Sequence, residues 1–324
     1  MTRVLVTGAT GFVGRRLVER LLADGIAVRA TVRRPNGIPV ADAVQVGEIG
    51  ADTDWTTALQ GIDVVVHLAA RVHILHDEAA DALAAFRRTN VEGTRQLAVS
   101  AARAGIGRVI LVSSVKALAD QSGKRPLTDD DIPRPGTPYG VSKLEAERAL
   151  EDACRGTGTE WTALRPPLVY GPGVGANFGQ LLALCQRRLP LPLGSIGNRR
   201  SLIAVDNLVD AVLRCIDHPA AAGRSFLVHD GPSPSTPDLV RTLSSALSHR
   251  ARLFPVPPLL LRAALHAAGR PDAFDRIAGS LHVDDSPFRR ACGWLPPLPQ
   301  DAALRATALW FAGREAETAG GGSR

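Results

Sequence analysis

The apolar positions in the first half of the chain fall into a repeated strand-then-helix pattern. Residues 3–7, 64–68 and 108–113 are short, mostly apolar runs. Such runs are expected for strands buried on both faces. Residues 27–33 alternate around Val28, Ala30 and Val32 and predict a further strand. Residues 44–46 predict a short one, and 160–164 another that Pro166 and Pro167 stop. Helical spacing follows the glycines at 8, 11 and 14 to about Asp24, covers an Ala-rich stretch at 77–104, and returns over 139–154. The alternation predicts an α/β fold: a Rossmann-type doubly wound parallel sheet over residues 1–170.

Beyond residue 170 the pattern shortens, and Pro and Gly become dense (Gly171, Pro172, Gly173, Gly175, Pro190, Pro192). Helices are predicted near 206–217, 236–248, 258–268 and 300–313. This describes a smaller C-terminal α/β substrate lobe over 171–314, interleaved with the first domain. The polar, Gly-rich end, 315–324, is predicted to be a disordered tail. No internal repeat is evident.

Composition narrows the class. The chain is 45% hydrophobic and 22% charged, as ordinary globular proteins are. Its net charge of +6 comes from scattered arginines, and aromatics make up only 4%. Nucleic-acid binders cluster basic residues and add stacking aromatics, so no nucleic-acid partner is expected. Cys154, Cys185, Cys215 and Cys292 are far apart and fit neither a disulfide framework nor a metal site. The N-terminus enters a strand at once, without the pattern of a secretion signal, so a cytoplasmic protein is expected. No stretch reaches the ~18 apolar residues of a membrane span. The nearest, 259–268, is interrupted by Arg262 and His266. It is read as a lobe helix, with a membrane-surface position as the alternative.

Candidate chemistry centres on Tyr139 and Lys143 in Pro-Tyr-Gly-Val-Ser-Lys, in a chain with only 2 Tyr and 3 Lys. On a helix, residues four apart share a face. An ammonium beside a phenol favours the phenolate, so the pair suits proton exchange with a carbonyl/alcohol couple. A surface Tyr stacked on a Lys stem is the plainer alternative. The second candidate is Thr7-Gly8-Ala9-Thr10-Gly11-Phe12-Val13-Gly14, between strand and helix. Glycines there let the backbone approach a pyrophosphate at a helix N-terminus. Arg33 stands where NAD binders carry a ribose-binding carboxylate, which favours NADP(H) over NAD(H). Glu48 and Ile49 follow the third strand and could border the adenine.

Together these residues resemble the extended short-chain dehydrogenase/reductases, the epimerase/dehydratase branch, along almost the whole chain. The resemblance is carried by the 7–14 loop, His67-Leu68-Ala69-Ala70, residues 89–94, Val112-Ser113-Ser114, Tyr139 to Lys143, residues 165–173 and residues 201–210. It implies an NAD(P)(H) enzyme acting on a nucleotide sugar. Tyr139 would exchange a proton with the sugar oxygen, Ser114 would hydrogen-bond that oxygen, and Lys143 would hold the nicotinamide ribose and lower the Tyr139 pKa. Asn90 would support the site, Leu68, Ala69 and Ala70 would line the cofactor, and Pro166 and Pro167 would border the nicotinamide. Val115 and Lys116 replace the Asp-Glu pair of the 4,6-dehydratases and leave no Cys for 3,5-epimerisation. That leaves 4-keto reduction and 4-epimerisation.

Further segments look like a bacterial polysaccharide subgroup of UDP-4-keto-6-deoxy-N-acetylglucosamine reductases and UDP-sugar 4-epimerases. The resemblance implies Asn177 and Phe178 near the uridine and Arg199, with Arg276, on the diphosphate. Reduction of a UDP-4-keto-6-deoxy-N-acetylhexosamine is the first expectation. UDP-glucose/UDP-N-acetylglucosamine 4-epimerisation with tightly held NAD is the alternative. A dihydroflavonol-type reductase and a non-catalytic NADP(H) sensor stay open. A homodimer through helices 80–104 and 139–154 is implied by analogy.

Overall fold

A computed structural model describes residues 2–34, 40–72 and 81–320, the side chains of 271, 272 and 315–320 excepted. The first half contains β1 (Arg3–Thr7), α1 (Phe12–Ala23), β2 (Ala27–Val32), β3 (Ala43–Gln45), α2 (Thr56–Leu59), β4 (Val64–His67), α3 (Ala82–Arg87), α4 (Gly93–Arg103), β5 (Arg108–Val112), α5 (Pro138–Cys154) and β6 (Glu160–Arg165). The second half adds β7 (Leu168–Tyr170), α6 (Ala176–Gln186), β8 (Leu202–Ala204), α7 (Val205–Asp217), β9 (Arg224–Leu227), α8 (Thr236–Ala246), α9 (Pro258–Ala267), α10 (Pro271–Ala278), α11 (Ser286–Cys292) and α12 (Gln300–Gly320). α12 takes in part of the segment expected as a tail, and 321–324 lie outside the described residues.

Seven strands form one parallel sheet in the order β3-β2-β1-β4-β5-β6-β9. The strand order reverses between β1 and β4. In open α/β sheets, ligands bind beyond the strand C-termini at that reversal. The apolar strands are covered on both faces, as their sequence requires. One face packs Leu17, Val18 and Leu21 of α1 against Leu208 and Val212 of α7, with Phe288 and Trp294 beyond. The other packs Trp55, Leu97, Ala101, Ala146 and Leu150. A separate core holds the lobe, with Tyr170, Phe178, Leu182, Leu239, Leu243 and Leu304.

The helix expected over 77–104 is interrupted. Residues Arg88–Glu92 form a π-helical turn between α3 and α4, and 77–80 lie outside the described residues. The extra residue in the turn carries Asn90 into the interior. β7, β8 and β9 had no sequence counterpart. β9 makes chain from beyond residue 170 part of the large sheet. Residues 280–284 form a seam between two loops. Ser122 N donates to Ser280 O and Leu127 N to His282 O, each at 2.8 Å, while Leu281 N donates to Arg199 O at 2.9 Å.

Candidate active site

The glycine loop lies at the sheet reversal. Gly8 has φ +68°, a conformation that favours glycine. A Cβ on Gly8 would stand 2.7 Å from Ala69 N, and one on Gly14 would stand 2.2 Å from Gly8 O. The loop is therefore a tight cradle that only glycines allow. Gly11 caps α1 without a side-chain bond, and the first turn of α1 has no acidic residue. Its amides and positive dipole end suit an anion. The residues present thus fit a dinucleotide pyrophosphate. Phe12 extends from the loop to the lobe, its ring 3.5 Å from where a Cβ on Gly173 would be.

A buried relay locks the cradle to β4. Thr7 Oγ1 accepts from Leu68 N and Ala69 N, each at 3.2 Å, and lies 2.7 Å from His67 Nδ1. His67 Nε2 lies 3.1 Å from Thr94 Oγ1, which donates to Asn90 O at 2.6 Å. Since Thr94 spends its proton on Asn90 O, it must accept from His67 Nε2–H. His67 Nδ1 then accepts from Thr7. Burial, aided by the Lys143 ammonium, pushes the His67 pKa down to about 3, so the ring stays neutral and the tautomer holds. Leu68, Ala69 and Ala70 are half-buried along this edge.

Ser114, Tyr139 and Lys143 meet at the C-terminal end of β5. Ser114 is extended and caps a short 3-10 turn, its Oγ accepting from Lys116 N at 3.1 Å. Tyr139 is placed where the Ser114 hydroxyl favours its phenolate. Its ring stands edge-on to Phe86 at 5.9 Å. Burial pushes its phenol up to about 12, against the lowering effect of Ser114. Lys143 is buried on the same helix, and its Nζ donates to Val112 O at 3.0 Å. Burial pulls Lys143 down to about 8, against Glu147. The lowering of Tyr139 expected from Lys143 is not found: burial raises the phenol, and the group that lowers it is Ser114.

Asn90 is almost fully buried and clamps two segments. Its Oδ1 accepts from Arg71 N at 2.8 Å, and its Nδ2 donates to Arg71 O and to Ser142 Oγ, each at 3.0 Å. Ser142 Oγ donates to Tyr139 O at 2.8 Å, linking the π-helical turn to the first turn of α5. Lys116 pairs with Asp120 at 2.8 Å, and Asp120 accepts from Gly136 N and from Thr137, the cap of α5. A Cβ on Gly140 would stand 2.4 Å from Lys116 O. The Ser114 turn and the Tyr139 helix are thus held in contact. Pro166 and Pro167 are buried, and Pro166 O accepts from Val115 N at 2.9 Å.

The other candidates are more scattered. Arg33 ends β2 exposed and lies 3.7 Å from Glu48, also exposed. Ile49 packs under α4, its Cγ2 only 2.5 Å from where a Cβ on Gly93 would be. Asn177 is exposed at the start of α6, whereas Phe178 is 3% exposed in the lobe core and stacks on Tyr170 at 5.5 Å. The Phe178 side chain is therefore used for packing. Arg199 and Arg276 are exposed on adjoining segments, Arg200 bridging to Leu281 and donating to Arg276 O. The sequence reading missed the roles of Thr7, Thr94, Ser142, Asp120 and Gly140. Only the short spacing of Ser142 from Tyr139 could have signalled one of them.

The model of the NAD dependent epimerase/dehydratase family matches residues 4–228. The chain is 40% identical over 315 residues to UDP-glucose 4-epimerase of Vibrio cholerae, covering 95% of each. It is 32% identical over 317 residues to 3-diazoavenalumate denitrifying reductase of a Streptomyces species, covering 92% of this chain and 97% of that one. Among solved structures, MoeE5 in complex with UDP-glucose and NAD aligns with a TM-score of 0.77 at 26% identity, over 97% of this chain and 99% of that one. With more than half its length matched and its glycine cradle and Ser114–Tyr139–Lys143 group in place, the chain belongs to the NAD dependent epimerase/dehydratase family.

Proposed function

We propose that the protein is a UDP-hexose 4-epimerase that uses NAD. The observation that carries this is the meeting of Ser114, at the turn after β5, with the helix that bears Tyr139 and the buried Lys143, whose Nζ donates to Val112 O at the end of that strand. The full-length similarity to a UDP-glucose 4-epimerase supports the choice of reaction. Gly8, Gly11 and Gly14 would hold the NAD pyrophosphate and Lys143 its nicotinamide ribose, and the cofactor would supply reversible hydride acceptance at the sugar C4. Tyr139 takes the proton of the C4 hydroxyl as the carbonyl forms and gives it back on reduction. Ser114 Oγ holds the sugar oxygen within reach of that phenol. Asn90, through Ser142, keeps the first turn of α5 oriented. Arg199 and Arg276 clamp the diphosphate, to which a guanidinium fork is matched. Asn177 sits at the uridine end.

The two residues after Ser114 supply no carboxylic acid to expel a hydroxyl: Val115 is buried, and Lys116 is paired with Asp120. Two copies pairing across α4 and α5 complete the proposal, and light scattering checks that pairing.

4-Keto reduction is the second reading, with NADP(H). Arg33 favours it, because an exposed cation at the end of β2 suits a 2′-phosphate. A protonated Tyr139 is also the form that donates to a ketone. The two readings separate on one experiment. The epimerase converts UDP-glucose or UDP-N-acetylglucosamine without net cofactor change. The reductase leaves both untouched and consumes NADPH with a UDP-4-keto sugar.

A further inference from the structure

Far from the glycine cradle in sequence, the lobe carries an apolar helix that the protein leaves largely uncovered. α9 is held by Leu261, which is buried, and by Leu265 one turn later, half-buried. Its other sides face outward. Leu259 is 79% exposed and Leu260 62%, and Ala263, Ala264 and Ala267 are exposed with them. Phe254 precedes the helix and is also exposed. Leu189, exposed too, stands on the adjoining segment, where Leu191 O accepts from Phe254 N at 3.1 Å. Four of the ten large apolar side chains exposed among the described residues thus belong to these two joined segments. Exposed apolar surface concentrated in this way marks an interaction site.

The segments at that edge are rich in arginine, and the exposed acid on the adjoining α10 is Asp275. Stretches 161–205 and 239–271 hold ten arginines and no Asp or Glu. Subtracting those ten charges from the chain's +6 leaves −4 on the rest. Arg187, Arg188, Arg250, Arg252, Arg262 and Arg270 are exposed, and none forms an ion pair with a described residue. Some exposed arginines elsewhere do pair, as Arg20 with Asp24 and Arg305 with Asp301, while others such as Arg103 and Arg134 form no ion pair with a described residue. An apolar helix flanked by unpaired cations is the composition of a segment that lies in a membrane interface.

We infer that α9, with residues 187–189 and 250–254, docks on the anionic surface of a lipid bilayer. Leu259, Leu260 and Phe254 enter the boundary between headgroups and acyl chains, and the arginines meet the lipid phosphates. A second copy of the chain is a poor occupant, because a twofold contact would face these like charges against each other. Nucleic acid is a poor one too, because it has no apolar phase for the leucines.

Flotation of the full-length protein with vesicles tests this. The expected result is recovery with vesicles of phosphatidylcholine containing about one-third phosphatidylglycerol, about tenfold above recovery with phosphatidylcholine alone. High salt should abolish the difference. Leu259→Glu/Leu260→Glu and Arg250→Glu/Arg252→Glu should each lower recovery about tenfold while thermal melting stays unchanged. If the leucine pair does not fold, the arginine pair decides. Equal recovery with both vesicle types, recovery with neither, or wild-type recovery of a folded variant overturns the inference. A wild-type dimer that the leucine pair splits, with no vesicle recovery, overturns it as well.

Discussion

Tyr139 and Lys143 are shifted in opposite directions by one cause. Burial penalises the charged form, so the phenol rises to about 12 and the ammonium falls to about 8. Oxidation of an alcohol needs the phenolate, and the phenolate needs a charged Lys143 beside it. Turnover should therefore decline as pH rises through about 8, where Lys143 loses its proton. In Lys143→Arg, which stays charged, the residual activity should lack that alkaline decline, and a pH–rate profile checks this. Tyr139→Phe should lower kcat by about 100- to 10,000-fold while NAD binding, followed by fluorescence, is retained.

Asp129 is a separate case. One oxygen accepts from Leu227 N at 2.7 Å, the other is buried without a partner, and burial raises the carboxyl to about 6. Between about 4 and 6 the folded state binds more protons than the unfolded, so stability falls as pH rises through that window. Asp129→Asn keeps the acceptor for Leu227 and removes the charge. It should melt higher by about 1–3 kcal/mol of stability at pH 7 and lose that pH dependence, as thermal melts at pH 4 and 7 will show.

At the scale of elements, the site depends on how closely two segments approach. The Ser114 turn and α5 touch where Gly140 passes Lys116 O, leaving no room for a methyl group. Gly140→Ala should push α5 away and cut kcat at least about tenfold, because small displacements of positioned groups are costly. Cofactor affinity should change less, since the cradle belongs to β1, β4 and α1.

What could be read in the sequence follows the same division. The glycine loop and the Tyr139–Lys143 pair are local patterns, one strand–turn–helix and one i,i+4 spacing, and both were legible. The Thr7–His67–Thr94 relay spans elements sixty and twenty-seven residues apart, so no local spacing announces it. β9 is four residues long and pairs with β6 sixty-two residues earlier, which apolar periodicity cannot reveal. Phe178 was matched to a substrate role by resemblance, yet it packs on Tyr170, because an apolar ring one position after an exposed Asn177 turns inward on a helix.

For the whole molecule, the lobe and the large sheet are joined by the polar seam at 280–284 rather than by a linker. That seam brings the segment after Arg276 against Arg199 and against the loop following Ser114. Cofactor choice belongs to this scale too, because Arg33 and Glu48 on neighbouring strand ends present opposite charges. Arg33→Asp should weaken NADP(H) binding relative to NAD(H) by at least about tenfold, measured by titration of each coenzyme.

The most direct test of the proposed chemistry is proton NMR of UDP-glucose and UDP-N-acetylglucosamine incubated with the protein and NAD, alongside Tyr139→Phe. Formation of the C4 epimer by the wild type, and its loss in a variant that still binds NAD, is the expected result. No epimer from either sugar, or undiminished turnover by Tyr139→Phe, would contradict it.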